Sequence, residues 1–223
     1  MAIFKLHSAF ICFGEKEVLK EISFSLKTGE ILGIFGRNGC GKTTLLKMIF
    51  GTLQLGSINI SINDQKINPL ENISKERIAY LPQHSFLPKN IKVRDIIPIY
   101  FDQEKKQEAV FYDPLIAKLA AKKIGELSLG QVRYLEVLLV GNLNHSFLML
   151  DEPFSMIDPL HKMEISKLLN KLKAEKGIII TDHYYEDVLR ITTQNLIIKE
   201  GISIPIESKE DLKKLEYLGK NTS

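Results

Sequence analysis

The residues best equipped for chemistry form the run GRNGCGKTT at positions 36–44. Gly36, Gly39 and Gly41 permit the positive φ angles that turn successive backbone N–H groups inward, which makes a concave nest for a di- or triphosphate. The whole loop, Gly36, Arg37, Asn38, Gly39, Cys40, Gly41, Lys42, Thr43 and Thr44, is expected to wrap such a group. Lys42 adds a point charge for the outer phosphates, and Thr43 opens a helix whose positive end favours anions. The Thr43 hydroxyl is placed to ligate a Mg²⁺ ion shared with those phosphates. The alternative is an ordinary glycine-rich turn between strand and helix. A second set stands at Asp151 and Glu152, directly after the apolar run 147–150. Phosphoryl hydrolysis needs charge neutralisation, a metal and a positioned water. Asp151 reaches the Mg²⁺ shell and Glu152 polarises the water, or the two are solvated acids at a strand-end turn.

These residues need rigid supports. The apolar stretch 31–35 reads as a buried strand that feeds the loop, with a helix after it. Before it, apolar and polar residues alternate from Ile3 to Leu26 with turns at Gly14 and Gly29, an antiparallel strand pattern. Further strands are expected at 57–62, at 78–81 ending in Pro82-Gln83, at 147–150 and at 178–181, with a hairpin over 195–204. Between Gln83 and Glu126 Pro88, Pro98 and Pro114 act as breakers, and helix-like segments fall near 93–100 and 115–124. Helices are expected near 132–143 and 160–175, and the charged stretch 207–220 reads as a surface helix. Strands alternating with helices predict an α/β fold with a mainly parallel sheet and a nucleotide at its carboxyl ends. The expected division is a core with an antiparallel β subdomain over 1–83 and 127–206, a helical subdomain over 84–126, and a C-terminal helix or tail over 207–223.

At 223 residues, 44% hydrophobic and 26% charged, the chain is sized for one globular core with a small satellite. A net charge of +3 with interleaved acids argues against a nucleic-acid partner. Apolar runs are strand-sized, the N-terminus lacks a signal-peptide pattern, and the two cysteines, Cys12 and Cys40, offer no disulfide framework. A cytosolic protein is expected.

The ordered set GRNGCGKTT, Gln83 in YLPQ, LSLGQ at 127–131, FLMLDEP at 147–153, Asp158 in SMID and His183 in TDH resembles the ATP-binding-cassette (ABC) ATPases and spans nearly the whole chain. The resemblance implies a P-loop NTPase core with an antiparallel β subdomain and a small inserted helical subdomain. It implies two cassettes working head to tail, as a homodimer or with a related subunit, with ATP and Mg²⁺ between the phosphate loop of one and the signature segment of the other. Phe13 matches the aromatic that stacks on adenine, although Phe10 and Phe13 read equally as core residues of a strand. Gln83 matches a glutamine that touches metal and water, and His183 a histidine that contacts the γ-phosphate and holds Glu152 in line. Lys42, Gln83, Glu152 and His183 thus form the expected catalytic set, and Thr43, Gln83 and Asp151 the expected metal set. Ser128, Gly130 and Gln131 match the signature segment, where Leu129 replaces the usual glycine. Asp158 matches a loop that communicates across the dimer and also suits helix capping.

Within the family the nearest likeness is to the ATPases of lipopolysaccharide export and branched-chain amino-acid uptake. The implied partners are transmembrane permease subunits, with the chain on the cytoplasmic face of the membrane. The implied permease groove has a floor at His84, Ser85, Phe86 and Leu87, with Val93, Ile96 and Ile97 packed beneath. A non-transport cassette acting on a macromolecular complex, and a regulatory cassette with little turnover, are the alternatives.

Overall fold

In the computed structural model, which describes residues 1–218, strand period and burial sort the chain into two sheets. The first forms around β1 (Ile3–Phe13), antiparallel to β2 (Lys16–Leu19) and β3 (Phe24–Lys27). The chain then enters β4 (Ile31–Phe35), buried at every position, and passes through residues 36–41 into α1 (Lys42–Phe50). β5 (Ser57–Ile62) and β6 (Gln65–Ile67) complete the antiparallel sheet, in the order β2-β1-β5-β6 with β3 also on β1.

β7 (Ile78–Leu81) begins a second chain of pairings. After it come α2 (Val93–Tyr100), α3 (Glu104–Phe111) and α4 (Leu129–Gly141), then β8 (Phe147–Asp151), α5 (Pro159–Leu172), β9 (Gly177–Thr181) and α6 (Tyr185–Leu189). The hairpin β10 (Gln194–Lys199) and β11 (Ile202–Ile206) leads to α7 (Lys209–Lys214). The six-stranded sheet runs β11-β10-β4-β9-β8-β7, parallel except for the β10–β11 pair.

Both faces of this sheet are covered, which is why its strands read as unbroken apolar runs. Leu32, Ile34, Met149 and Ile179 face α1 and the antiparallel sheet, where the Phe4 and Phe147 rings meet at 5.7 Å. Ile31, Phe35, Leu148, Leu150, Ile178 and Ile180 face the helical side and join Val93, Ile96 and Val110 in a continuous apolar core.

The helical region corrects one expectation. No α-helix covers 115–124. Asp113 Oδ1 accepts from the N–H groups of Leu115 and Ile116, and backbone groups further on are taken by the entry to α2: Val93 N–H donates to Lys122 O at 3.0 Å and Ile124 N–H to Ile91 O at 2.9 Å. Only short 3₁₀ turns form there, while the polar stretch Glu104–Phe111 is helical. At the C-terminus helix spans only Lys209–Lys214, with Leu212 fully buried rather than on the surface; Gly219 and Lys220 lie outside the described residues. Among the described residues no helix is long and apolar enough to cross a membrane.

Candidate nucleotide and hydrolysis site

The phosphate loop leaves the carboxyl end of β4 with Gly36, Gly39 and Gly41 at φ of 151°, 77° and 105°. Gly41 precedes the first turn of α1, and a Cβ there would lie 2.8 Å from Leu19 Cδ2 and 2.9 Å from Val18 Cγ1, so a side chain would have to displace β2 residues as well as adopt a strained φ. Among the described residues no side chain caps the first turn of α1 and no acid stands in it, which leaves its N–H groups and the positive end of its dipole available to an anion. Lys42 Nζ donates to Gly36 O at 2.7 Å, closing the loop on itself. A cavity of about 510 Å³ lies over it, lined by Phe13, Asn38, Gly39, Gly41, Lys42, Thr43, Thr44, Gln83, Glu152 and His183. Phe13 is 46% exposed and Phe10 40%, so neither ring is a core residue of β1.

β8 delivers the acids to this cavity. Asp151 is 1% exposed, and its Oδ1 accepts from the hydroxyls of Thr43 at 3.2 Å and Thr181 at 2.7 Å, while Oδ2 accepts from the Tyr80 hydroxyl at 3.1 Å. Burial and the neighbouring Asp151 charge push the Tyr80 phenol well above the ordinary phenol range, which keeps it a donor. Glu152 adopts φ of +53°, a conformation that costs a non-glycine residue about 1–3 kcal/mol and persists where the surroundings fix it. They do: Glu152 N–H donates to Thr181 O at 2.7 Å, and its carboxylate accepts from Gln83 Nε2 at 2.9 Å and Ser155 Oγ at 3.1 Å, with His183 Nε2 2.8 Å from Oε1.

Thr43 Oγ1 and Asp151 Oδ1 pair a hydroxyl with a carboxylate oxygen at the mouth of the N–H nest. Among the described residues no group of three or more His, Cys, Asp and Glu side chains is disposed to hold a metal. Such a donor set suits a hard divalent cation that takes most of its ligands from phosphate and water.

Two loop residues face elsewhere. Arg37 Nη2 donates to Glu216 O at 2.6 Å, and Arg37 and Cys40 line a separate cavity with Leu215 and Tyr217 on the C-terminal side. Their side chains do not line the cleft over the loop, so their expected contribution to phosphate binding reduces to backbone N–H groups. Burial raises the Cys40 thiol pKa above its ordinary value, and the Lys42 charge offsets this only in part.

The signature residues are not part of the cleft. Ser128 caps α4 reciprocally with Gln131: Ser128 Oγ accepts from Gln131 N–H at 3.3 Å, and Gln131 Oε1 from Ser128 N–H at 3.0 Å. Gly130 is pressed against α5, where a Cβ would meet the His161 ring at 2.6 Å and Asp158 Oδ2 at 3.0 Å. Asp158 caps α5 by accepting from His161 N–H at 3.1 Å, and that bond holds its carboxyl below the usual range. The expected groove floor divides: His84 and Ser85 line a cavity beside Glu152, Phe86 lines an apolar groove with Phe50, Ile73 and Tyr100, and Leu87 is buried with Val93, Ile96 and Ile97.

Sequence reasoning missed Tyr80, Asp182, Arg133 and Glu136. Asp182 is fully buried and accepts from Phe154 N–H at 2.7 Å, Tyr184 N–H at 3.0 Å and Ser155 Oγ at 3.3 Å, which ties the loop after β8 to the loop carrying His183. Burial, and the nearby Glu152 charge, raise its pKa. Arg133 and Glu136 are 6% and 1% exposed on α4. Charges inside the apolar run 132–140 were the available signal, since Arg and Glu are rarely buried without partners.

A phosphate nest at the end of a parallel strand, an Asp-Glu pair at the end of a nearby one, and an antiparallel sheet covering one face define an ATP-binding-cassette ATPase. The chain belongs to the ABC transporter family, whose profile matches residues 19–155. It is 31% identical to an uncharacterized ABC transporter ATP-binding protein of Methanocaldococcus jannaschii, over 92% of this chain and 78% of that one. It is 29% identical to the lipopolysaccharide export system ATP-binding protein of Escherichia coli strain K12, over 92% of both chains. The Nod factor export ATP-binding protein I of Burkholderia orbicola is 33% identical over 86% of this chain and 66% of its own. A nucleotide-free ATP-binding cassette from an ABC transporter superposes with a TM-score of 0.82 at 22% identity, covering 99% of this chain and 97% of that one. The chain is thus an ATP-binding ATPase cassette.

Proposed function

We propose that two cassettes, this chain and a second copy or a related subunit, close head to tail on two MgATP, and that closure and hydrolysis drive a transmembrane permease from the cytoplasmic face of a membrane. Each nucleotide lies between the phosphate loop of one cassette and residues 128–131 of the other. The names of the lipopolysaccharide and Nod factor export relatives support the transport role. An apolar groove of about 480 Å³ bordered by Phe50, Ile73, Phe86 and Tyr100 suits a helix of the permease. In this reading the segment 84–126 is the moving subdomain.

The observation that carries the hydrolytic part is the grip on Glu152. Its carboxylate offers roughly four acceptor sites. Gln83 and Ser155 donate to Oε2 while His183 Nε2 stands 2.8 Å from Oε1, which leaves acceptor capacity to orient a water over the cleft. Lys42 gives up Gly36 O for the phosphates, Asn38 and the loop N–H groups cradle them, and Phe13 stacks on the base. Thr43 and Asp151 would hold Mg²⁺, with Gln83 as a further ligand, and that ion neutralises phosphate charge when bound. His183 steadies Glu152 and the γ-phosphate, and Ser128, Gly130 and Gln131 of the partner cassette close the site.

Glu152→Gln tests this reading. The variant keeps the size and shape of the side chain but loses the base, so it should accumulate as an ATP-bound dimer on gel filtration. A variant that stays monomeric in millimolar MgATP would refute the two-cassette mechanism.

A further inference from the structure

The buried ion pair on α4 sits between the apolar groove and the catalytic acid. Arg133 Nη2 donates to Asp151 O at 2.6 Å and to Glu152 O at 3.2 Å, and Nη1 donates to Pro82 O at 2.8 Å and to Glu136 Oε2 at 3.2 Å. The other Glu136 oxygen, Oε1, accepts from Phe86 N–H at 3.1 Å. Phe86 is 41% exposed and borders the groove, whereas Glu152 borders the nucleotide cleft. Beyond the Arg133–Glu136 contact itself, the pair directs its hydrogen bonds to the backbones of two other segments: the loop that carries Gln83 and Phe86, and the strand end that carries Asp151 and Glu152.

Removing two charges from water is costly and is recovered only when the remaining donors and acceptors are met. Here the guanidinium meets three carbonyls and a carboxylate at once, so displacing any one of these segments leaves a buried charge short of a partner. The carbonyls of Asp151 and Glu152 flank the +53° turn that aims the Glu152 side chain. A shift of the Phe86 backbone therefore moves Glu136, then Arg133, then the frame of Glu152.

We infer that Arg133 and Glu136 are positioning residues that couple the occupancy of the Phe86 groove to the orientation of Glu152. This inference rests on the groove being a docking site, and the relay itself is tested without a permease. Coupling is reciprocal, so nucleotide in the cleft must be felt at Phe86. Hydrogen exchange of the wild-type chain with and without MgATP should change the Phe86 amide rate about five-fold or more, because local opening there depends on the Glu136 acceptor. In Glu136→Gln that nucleotide dependence should vanish, and kcat should fall about ten-fold with KM for ATP within about two-fold, the signature of a lost positioning contact rather than lost binding.

Arg133→Lys, which keeps the charge but not the fork, should behave alike, and the double variant should cost no more than the worse single one. A Phe86 amide indifferent to MgATP in the wild type, or Glu136→Gln turning over at the wild-type rate, would overturn the relay. Should Glu136→Gln fail to fold, the wild-type exchange experiment and Arg133→Lys decide alone. Exchange coupling in a chain that recovers no permease would support the relay and refute the groove's proposed occupant; no thermal stabilisation by MgATP would overturn both.

Discussion

The cleft over the phosphate loop and the segment 128–131 differ in how far each is finished within one chain. In the cleft, Lys42, Asp151 and Glu152 are buried, and their side chains are met by Gly36 O, by the Thr43 and Thr181 hydroxyls and by Gln83 Nε2. At the signature segment, the side chains of Ser128 and Gln131 each bond to the other's backbone N–H, and the surroundings expose Leu129 at 66%, Met156 at 81% and Leu160 at 58%. One region is preorganised; the other presents a capped helix end amid apolar side chains that water covers poorly. That contrast fits a site completed by a second cassette.

The comparison can be broken most forcefully at Glu152. Glu152→Gln should lower hydrolysis by roughly 10²–10⁴, the span of a lost general base, while MgATP still stabilises the fold; near-normal turnover would mean the cleft is not the hydrolytic half. Next is Lys42→Ala. A ligand at a hundred times its Kd stabilises by about 2.7 kcal/mol, so the variant should forfeit a melting shift on the order of 5–10 °C, read by thermal denaturation with and without MgATP.

Ser128→Ala sharpens the other side. Loss of the cap should cost about 1 kcal/mol, roughly 2–4 °C in Tm, and should lower turnover while leaving the MgATP shift of the single chain intact. A lost MgATP shift would place Ser128 in its own chain's site. The smallest effect concerns Cys40. Its thiol pKa is raised by burial, so the reactive thiolate is scarcer at neutral pH and the alkylation rate should keep climbing as pH passes the ordinary thiol range. Peptide mass spectrometry should show that profile, and the adduct should weaken the MgATP shift by displacing the loop.

Much of this architecture was written in runs and order. β4, β8 and β9 were legible because both faces are buried and, Asp151 apart, every residue is apolar or small. The helix Glu104–Phe111 was not, because only Val110 is buried and five of its eight residues are polar or charged. The apolar spacing of Leu115, Ile116, Leu119 and Ile124 mimicked a helix, yet the N–H groups of Leu115 and Ile116 turn back to Asp113, and Lys122 O and Ile124 N–H are bonded across to the entry of α2. In the cleft, Lys42, Thr43, Asp151, Glu152 and His183 could be read from their order along the chain. Arg133, Glu136, Asp182 and Tyr80 could not, because their parts are set by which carbonyls and N–H groups the fold brings within reach. The same limit explains Arg37 and Cys40: a loop sequence names its residues without saying which side of the loop each one faces.

The close approach of α5 to Gly130 bears on how genetic data would be read. A methyl group at this position would press on the His161 ring and on the carboxylate that caps α5. Loss-of-function alleles at position 130 would therefore arise even if no second cassette ever met the helix end, and their phenotype would report first on the seam between α4 and α5. Alleles at position 128, where the hydroxyl is exposed and its replacement is sterically silent, carry the cleaner message about pairing.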